Sequence, residues 1–151
     1  MGKQANIARQ IRELGFPTDS KYHPCYLEYF RLFNAQEYYG AHDILEHIWL
    51  GSSGELHTYY KALIQFAGSY VHLQHHRREP HHRIHGRRLR PAARLFRRSA
   101  ELLGGFPRNY EGITIEEIVT EALTTAETIE ADGFAENPWQ PAKAFMLTLP
   151  A

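Results

Sequence analysis

A chain of 151 residues with 43% hydrophobic and 23% charged residues and a formal net charge of +0 has the make-up of one soluble globular domain, residues 1–151, which excludes a disordered polyelectrolyte. The single cysteine, Cys25, excludes an internal disulfide and fits a reducing cytosol. No apolar run approaches the ~20 residues of a membrane span, and the first residues, Met-Gly-Lys-Gln-Ala-Asn, carry no apolar signal segment, so no membrane partner and a cytoplasmic location are expected. Gly2 follows Met1, but position 6 is Asn6 where a myristoylation motif needs Ser or Thr. The neutral total conceals an asymmetry: nine arginines against one acid from Arg77 to Arg98, then eight acids and no Lys or Arg from Glu111 to Glu136.

In chain order, the spacing of Ile7, Ile11 and Leu14 predicts a helix over about 4–14 with Gly15 as its stop, followed by a loop through Ser20. A second helix is expected from Pro24, a residue suited to the first turn, presenting Leu27, Phe30 and Phe33; Asn34 is the expected interruption. A central helix follows over about 36–50. Gly51-Ser52-Ser53-Gly54 reads as a tight turn into a long helix over about 56–76, with Leu63, Phe66, Ala67, Tyr70 and Leu73 at core spacing. Residues 77–88 read as a basic surface loop. Leu89, Ala93, Phe96, Ala100 and Leu103 predict a helix over about 89–103 with arginines on its other face. Thr114 and Glu117 form a capping-box pattern before a helix over about 115–131 with Ile118, Ala122, Ala126 and Ile129 inward and Gly133 as stop. The tail from Asn137 to Pro150 holds too many prolines for a helix and is expected to lie extended over the surface. The expected fold is all-α: a compact bundle of five or six helices with an antiparallel central helix pair and an extended C-terminal tail.

Two helices of this series carry a polar stripe beside their apolar one. In Tyr38–Trp49, the core stripe is Ala41, Ile44, Leu45 and Ile48, while Tyr38, His42, Glu46 and Trp49 recur at i, i+4, i+8 and i+11. The following helix carries Lys61, Gln65, Gly68 or Ser69, and His72. Helices joined by a short turn pack antiparallel, which sets His42 level with Gln65 and Glu46 level with Lys61. A half-buried imidazole beside a carboxylate suits acid–base chemistry, with His42 as base or ligand and Glu46 as its orienter. Gln65, Lys61, Tyr38 and Trp49 would then bind a small-molecule ligand. Asp43 is expected at the helix edge.

A divalent metal on His42, Glu46 and Asp43 is the weaker version of this site. His72 falls level with Ala35, roughly 10 Å from His42 at 1.5 Å per residue, too far to share an ion whose bonds are about 2 Å long. The stretch also lacks the paired histidines of a His-Glu-x-x-His zinc helix.

The combination of Phe33-Asn34, Tyr38-Tyr39, Ala41-His42-Asp43, Leu45-Glu46 and Trp49, followed by Lys61-Ala62-Leu63-Ile64-Gln65-Phe66-Ala67 and His72, resembles the small all-helical family catalogued as domain of unknown function 309. The resemblance covers about residues 28–103. Asp43 stands where that pattern usually has Glu, which keeps the charge and shortens the reach by a methylene. The resemblance implies an all-α bundle of uncharacterised activity. Its members' occasional label, predicted metal-dependent hydrolase, makes a hydrolase the activity to expect if the protein is an enzyme.

Two other readings stand beside the pocket. In one, the protein is a non-catalytic interaction protein, a homodimer, in which Glu46 pairs with Lys61 and His42 bonds Gln65 only to fix helix register. In the third, Arg83–Arg98 bind nucleic acid; against this, the arginines lack interleaved aromatics and the acidic helix near 115–130 offers them an internal or dimer partner. The run His72, His75, His76, His81, His82 and His85 reads as a basic surface tract with weak metal affinity. Cys25 reads as a small buried hydrophobe.

Overall fold

The computed structural model describes Arg9 and residues 21–151. The expected N-terminal helix and loop lie outside the described residues, apart from Arg9, which is helical and exposed. The architecture is all-α: among the described residues five helices, α1 (Pro24–Asn34), α2 (Tyr38–Trp49), α3 (Gly54–Arg78), α4 (Leu89–Leu103) and α5 (Ile115–Ala131), pack each against the next in chain order. None of them is long and apolar enough to cross a membrane.

α1 begins where expected. Pro24 occupies its first turn, and the His23 imidazole accepts from the Cys25 N–H at 3.0 Å, satisfying one of the orphan donors of the helix start. α1 ends at Asn34, but the left-handed residue of the break before α2 is two residues later. Gln36 takes the left-handed conformation, φ 63°, while the Asn34 amide is committed elsewhere: it donates to the Leu147 carbonyl at 2.9 Å and accepts from the Leu147 N–H at 2.7 Å. Asn34 thus pairs with the C-terminal tail as a strand would.

α3 is the central element. Its 25 residues exceed the expected span at both ends, with α2 packed on one side and α4 on the other. Aromatic rings on α1 also reach it: Phe33 stacks on Phe66 with centroids 5.5 Å apart, and the Tyr29 hydroxyl donates to the Leu63 carbonyl at 2.7 Å. α4 buries Leu89, Ala93, Phe96, Ala100 and Leu103, as its spacing requires, and Ser99 donates to the Ala62 carbonyl on α3 at 3.0 Å. Of residues 77–88, the first two complete α3 and His85–Arg87 form a short 3-10 turn.

Two details depart from the sequence reading. Asn109–Tyr110 and Ile113–Thr114 pair as a two-residue antiparallel hairpin. Glu111 and Gly112 turn it with φ 49° and 77°, the doubly left-handed geometry that matches strand twist. Thr114 is the N-cap of α5, but its side chain does not close the capping box; its hydroxyl turns to the Asn109 side chain at 3.5 Å, pulled into the hairpin. The tail is extended apart from a 3-10 turn at Pro141–Lys143, and it buries Trp139 and Leu147. Cys25 is fully buried, and burial followed by the nearby Glu28 charge pushes its thiol up to about 12.

Candidate functional site

The register of α2 against α3 is fixed by aromatic pairs at both ends of the seam. Tyr38 stacks on Tyr70 at 4.9 Å, and Trp49 stacks on His57 at 4.7 Å. Between them, a methyl built on Gly68 would lie 4.0 Å from His42 Cδ2 and 3.4 Å from Leu95 on α4. His42 therefore lies over the bare backbone of Gly68, three residues further along α3 than Gln65. The expected antiparallel pairing is present, and both aromatic pairs keep its register to within one residue, while the His42 ring reaches just under one turn further along α3.

His42 is flanked by two carboxylates of its own helix. Its Nδ1 lies 3.2 Å from Asp43 Oδ1 and 3.9 Å from Glu46 Oε2. The three side chains keep 31%, 23% and 30% of their surface in water, which makes this a half-buried group and not a solvated face. Asp43, expected at the edge, is the nearer acid; Glu46, expected to orient the ring, is the more distant one. A carboxylate can only accept, so Nδ1 carries the proton and donates to Asp43. In the neutral ring the Nε2 lone pair is then free to act as base or ligand.

The other sequence-predicted residues divide. Gln65 buries its Oε1 with no hydrogen-bond partner among the described residues. An acceptor left so is costly unless a donor arrives. Lys61 makes no ion pair among them, so the expected bonds Glu46–Lys61 and His42–Gln65 are not formed there. Tyr38 is fully buried, its hydroxyl accepting from Trp139 Nε1 at 3.2 Å. The ring that lies parallel to His42 is instead Tyr39, 64% exposed, with centroids 6.1 Å apart. Trp49 belongs to the far end of the seam, where its buried Nε1 lacks a partner among the described residues. Beside it, His57 Nδ1 lies 3.2 Å from the Trp49 carbonyl and 3.2 Å from Ser52 Oγ. Tyr39 was missed because the helical spacing selects Tyr38, which does face the seam, and gives no sign that the exposed ring next to it lies along His42.

The metal version of the site fits poorly. Among the described residues, the group whose potential ligand atoms all lie within 4.8 Å of one another is Glu79, His82 and His85, not His42, Asp43 and Glu46. At His42 the carboxylates sit on the Nδ1 side, as outer partners of the ring, and Nε2 is left as the single convergent ligand. The histidine tract has its own obstacle. His82 Nδ1 accepts the backbone N–H groups of Ile84 and His85 at 3.0 and 3.2 Å, and His85 Nδ1 accepts from Arg88 Nε at 3.0 Å. Both rings therefore hold their proton on Nε2, the reverse of a metal-binding tautomer whose outer N–H donates.

His72 faces Arg88, whose Nη1 lies 3.1 Å from its Nδ1, and not His42. Burial first, then that guanidinium, lower its pKa to about 4 and keep it neutral. Glu28 carried no signal in the sequence, lying between Leu27 and Tyr29 on a helix of apolar residues. It is fully buried beside Arg31, and burial outweighs the arginine to raise its pKa.

This architecture, with its paired aromatic seam, can be set against known proteins. Residues 26–84 match the family model described as Domain of unknown function (DUF309). The resemblance read from the sequence is borne out over α1, α2, α3 and the loop after them, while α4, α5 and the tail lie beyond the matched DUF309 segment. No curated protein and no solved structure matches the chain.

Proposed function

We propose that the DUF309 segment carries a small-ligand site with hydrolase-like chemistry in the seam between α2 and α3, in a cytoplasmic protein. The observation that supports this reading most is the His42–Asp43 pair: the acid accepts the Nδ1–H hydrogen bond, which leaves the Nε2 lone pair unprotonated in a half-buried setting. In the reaction Nε2 takes a proton from an attacking water, and the ring, now cationic, is stabilised by Asp43 at 3.2 Å and Glu46 at 3.9 Å. The buried Gln65 Oε1 offers an acceptor to a ligand N–H or O–H.

The test combines structure and turnover. Long-range proton–nitrogen NMR is expected to find the His42 proton on Nδ1 in the wild type. Against a panel of p-nitrophenyl esters and phosphates, His42→Ala is expected to abolish any hydrolysis and Asp43→Asn to lower it at least tenfold, both with an unchanged circular dichroism spectrum. Equal turnover in wild type and His42→Ala would overturn the reading, and so would a proton on Nε2.

A further inference from the structure

The arginine block is not absorbed by the seam. α4 carries Arg90, Arg94, Arg97 and Arg98 on the face opposite its buried stripe, with Arg87 one turn earlier. From Arg87 to Arg98 the stripe runs roughly 16 Å at 1.5 Å per residue. It borders a groove between α4 and the end of α5, made of two adjoining cavities of about 390 Å³ each that share Arg90 and Phe134. Each is large enough for a nucleotide-sized group.

The acidic helix does not neutralise this stripe. Glu130 is taken by Arg97 through contacts of 2.6, 2.7 and 3.0 Å, with Glu127 adding a weaker attraction, and Glu101 is taken by Arg98 at 3.1 Å. Arg87, Arg90 and Arg94 have no carboxylate partner among the described residues. The groove thus keeps three uncommitted guanidinium groups, whose planar forks suit phosphate.

The aromatic that the sequence lacks between its arginines comes from another element. Gly133 and Phe134 both take positive φ, 71° and 66°, after the end of α5. Left-handed backbone is an outlier for a residue as bulky as Phe134, and here the bond from its N–H to the Ile129 carbonyl at 3.1 Å holds it. The result is a phenyl ring in the groove with the Arg90 guanidinium 4.1 Å from its centroid. A guanidinium laid on an aromatic ring keeps an outer face on which an unpaired base can stack.

We propose that this groove binds single-stranded nucleic acid, with Arg87 and Arg94 along the phosphodiester backbone and a base stacked on the Arg90–Phe134 pair. A duplex does not fit this arrangement, since its bases are already paired and stacked and cannot enter the cavities beside the ring. RNA and DNA strands share the chemistry the groove reads, and the experiment separates them.

Fluorescence anisotropy with labelled oligo-U and oligo-dT of about 12 nucleotides measures the affinity of the untagged full chain. Two arginine–phosphate contacts on a single strand predict a salt slope of about −1.4, hence a roughly sevenfold loss between 50 and 200 mM salt. Arg87→Glu/Arg94→Glu is expected to lower affinity at least tenfold with an unchanged melting temperature. Arg94→Gln, which keeps the aliphatic stem, is expected to move it the same way by a smaller factor. Either strand binding more tightly supports the site and identifies its source. The proposal is overturned if neither strand binds at 50 mM salt, if the arginine variants bind as the wild type does, if a duplex of the same length binds as tightly, or if tripolyphosphate at equal charge displaces the strand.

Discussion

The seam between α2 and α3 and the groove between α4 and α5 are built in opposite ways. In the seam the charged groups belong to one helix, and His42 meets Asp43 and Glu46 within a single turn of chain. In the groove the partners lie far apart in sequence: Arg97 meets Glu130 and Arg90 meets Phe134 only because two helices pack. The seam rests on locked aromatic pairs at both ends, whereas the groove lies on an outward face of exposed arginines. A site made within one helix survives small shifts of packing; one assembled across two helices depends on their relative position.

The sharpest way to break the comparison is to remove what both regions share. Phe66 on α3 is fully buried, stacked on Phe33 toward α1 and edge-on to Phe96 on α4 at 5.8 Å. Phe66→Ala leaves a ring-sized void where three helices meet and is expected to cost about 4 kcal/mol in urea unfolding. If the groove depends on packing more than the seam does, this variant also loses oligonucleotide binding while the His42 tautomer persists.

Acid separates the regions next. His72 joins α3 to Arg88 at the start of the arginine block, and its pKa in the folded protein is lowered to about 4 from 6.5. A histidine held neutral binds fewer protons folded than unfolded, so its stabilising effect is complete above pH 6.5. It is lost progressively as pH falls toward 4 and does not change further below that. Between pH 7.5 and 4.5 this one ring, partly screened by water, is expected to account for a loss of about 2 kcal/mol or less. His72→Gln, compared with wild type by urea unfolding at the two pH values, should show a pH dependence weaker by about that amount. An equal slope in both proteins would mean that burial and Arg88 do not hold His72 neutral in solution.

Most of the helical framework was legible because its signals are local. Leu89, Ala93, Phe96, Ala100 and Leu103 declare the buried face of α4 by spacing alone, and the prolines from Pro138 to Pro150 declare an extended tail. The position of His42 between two helices was legible for the same reason. What escaped depends on side chains choosing between partners. Thr114 reads as a cap but bonds across the hairpin, Asn34 reads as a helix breaker but pairs with Leu147, and the first tyrosine of a doublet hides the second. Phe134 could not be placed in the arginine groove from sequence, since the left-handed turn that delivers it is sterically unfavourable for that residue and is imposed by the end of α5.

The smallest expected effect bears most directly on what the seam is for. A histidine that locks helix register loses several kcal/mol when truncated, since its buried partner is left without compensation. Among the described residues His42 has no hydrogen bond across the seam: it pairs with Asp43 on its own helix, both side chains reach water, and on α3 it lies beside the bare backbone of Gly68. Truncation removes one exposed charge-assisted bond and little packing, so His42→Ala is expected to cost less than about 1 kcal/mol in urea unfolding at pH 7. A loss that small would leave the chemistry proposed for Nε2 as what His42 contributes. A loss of 3 kcal/mol or more would instead return the seam to a purely architectural role.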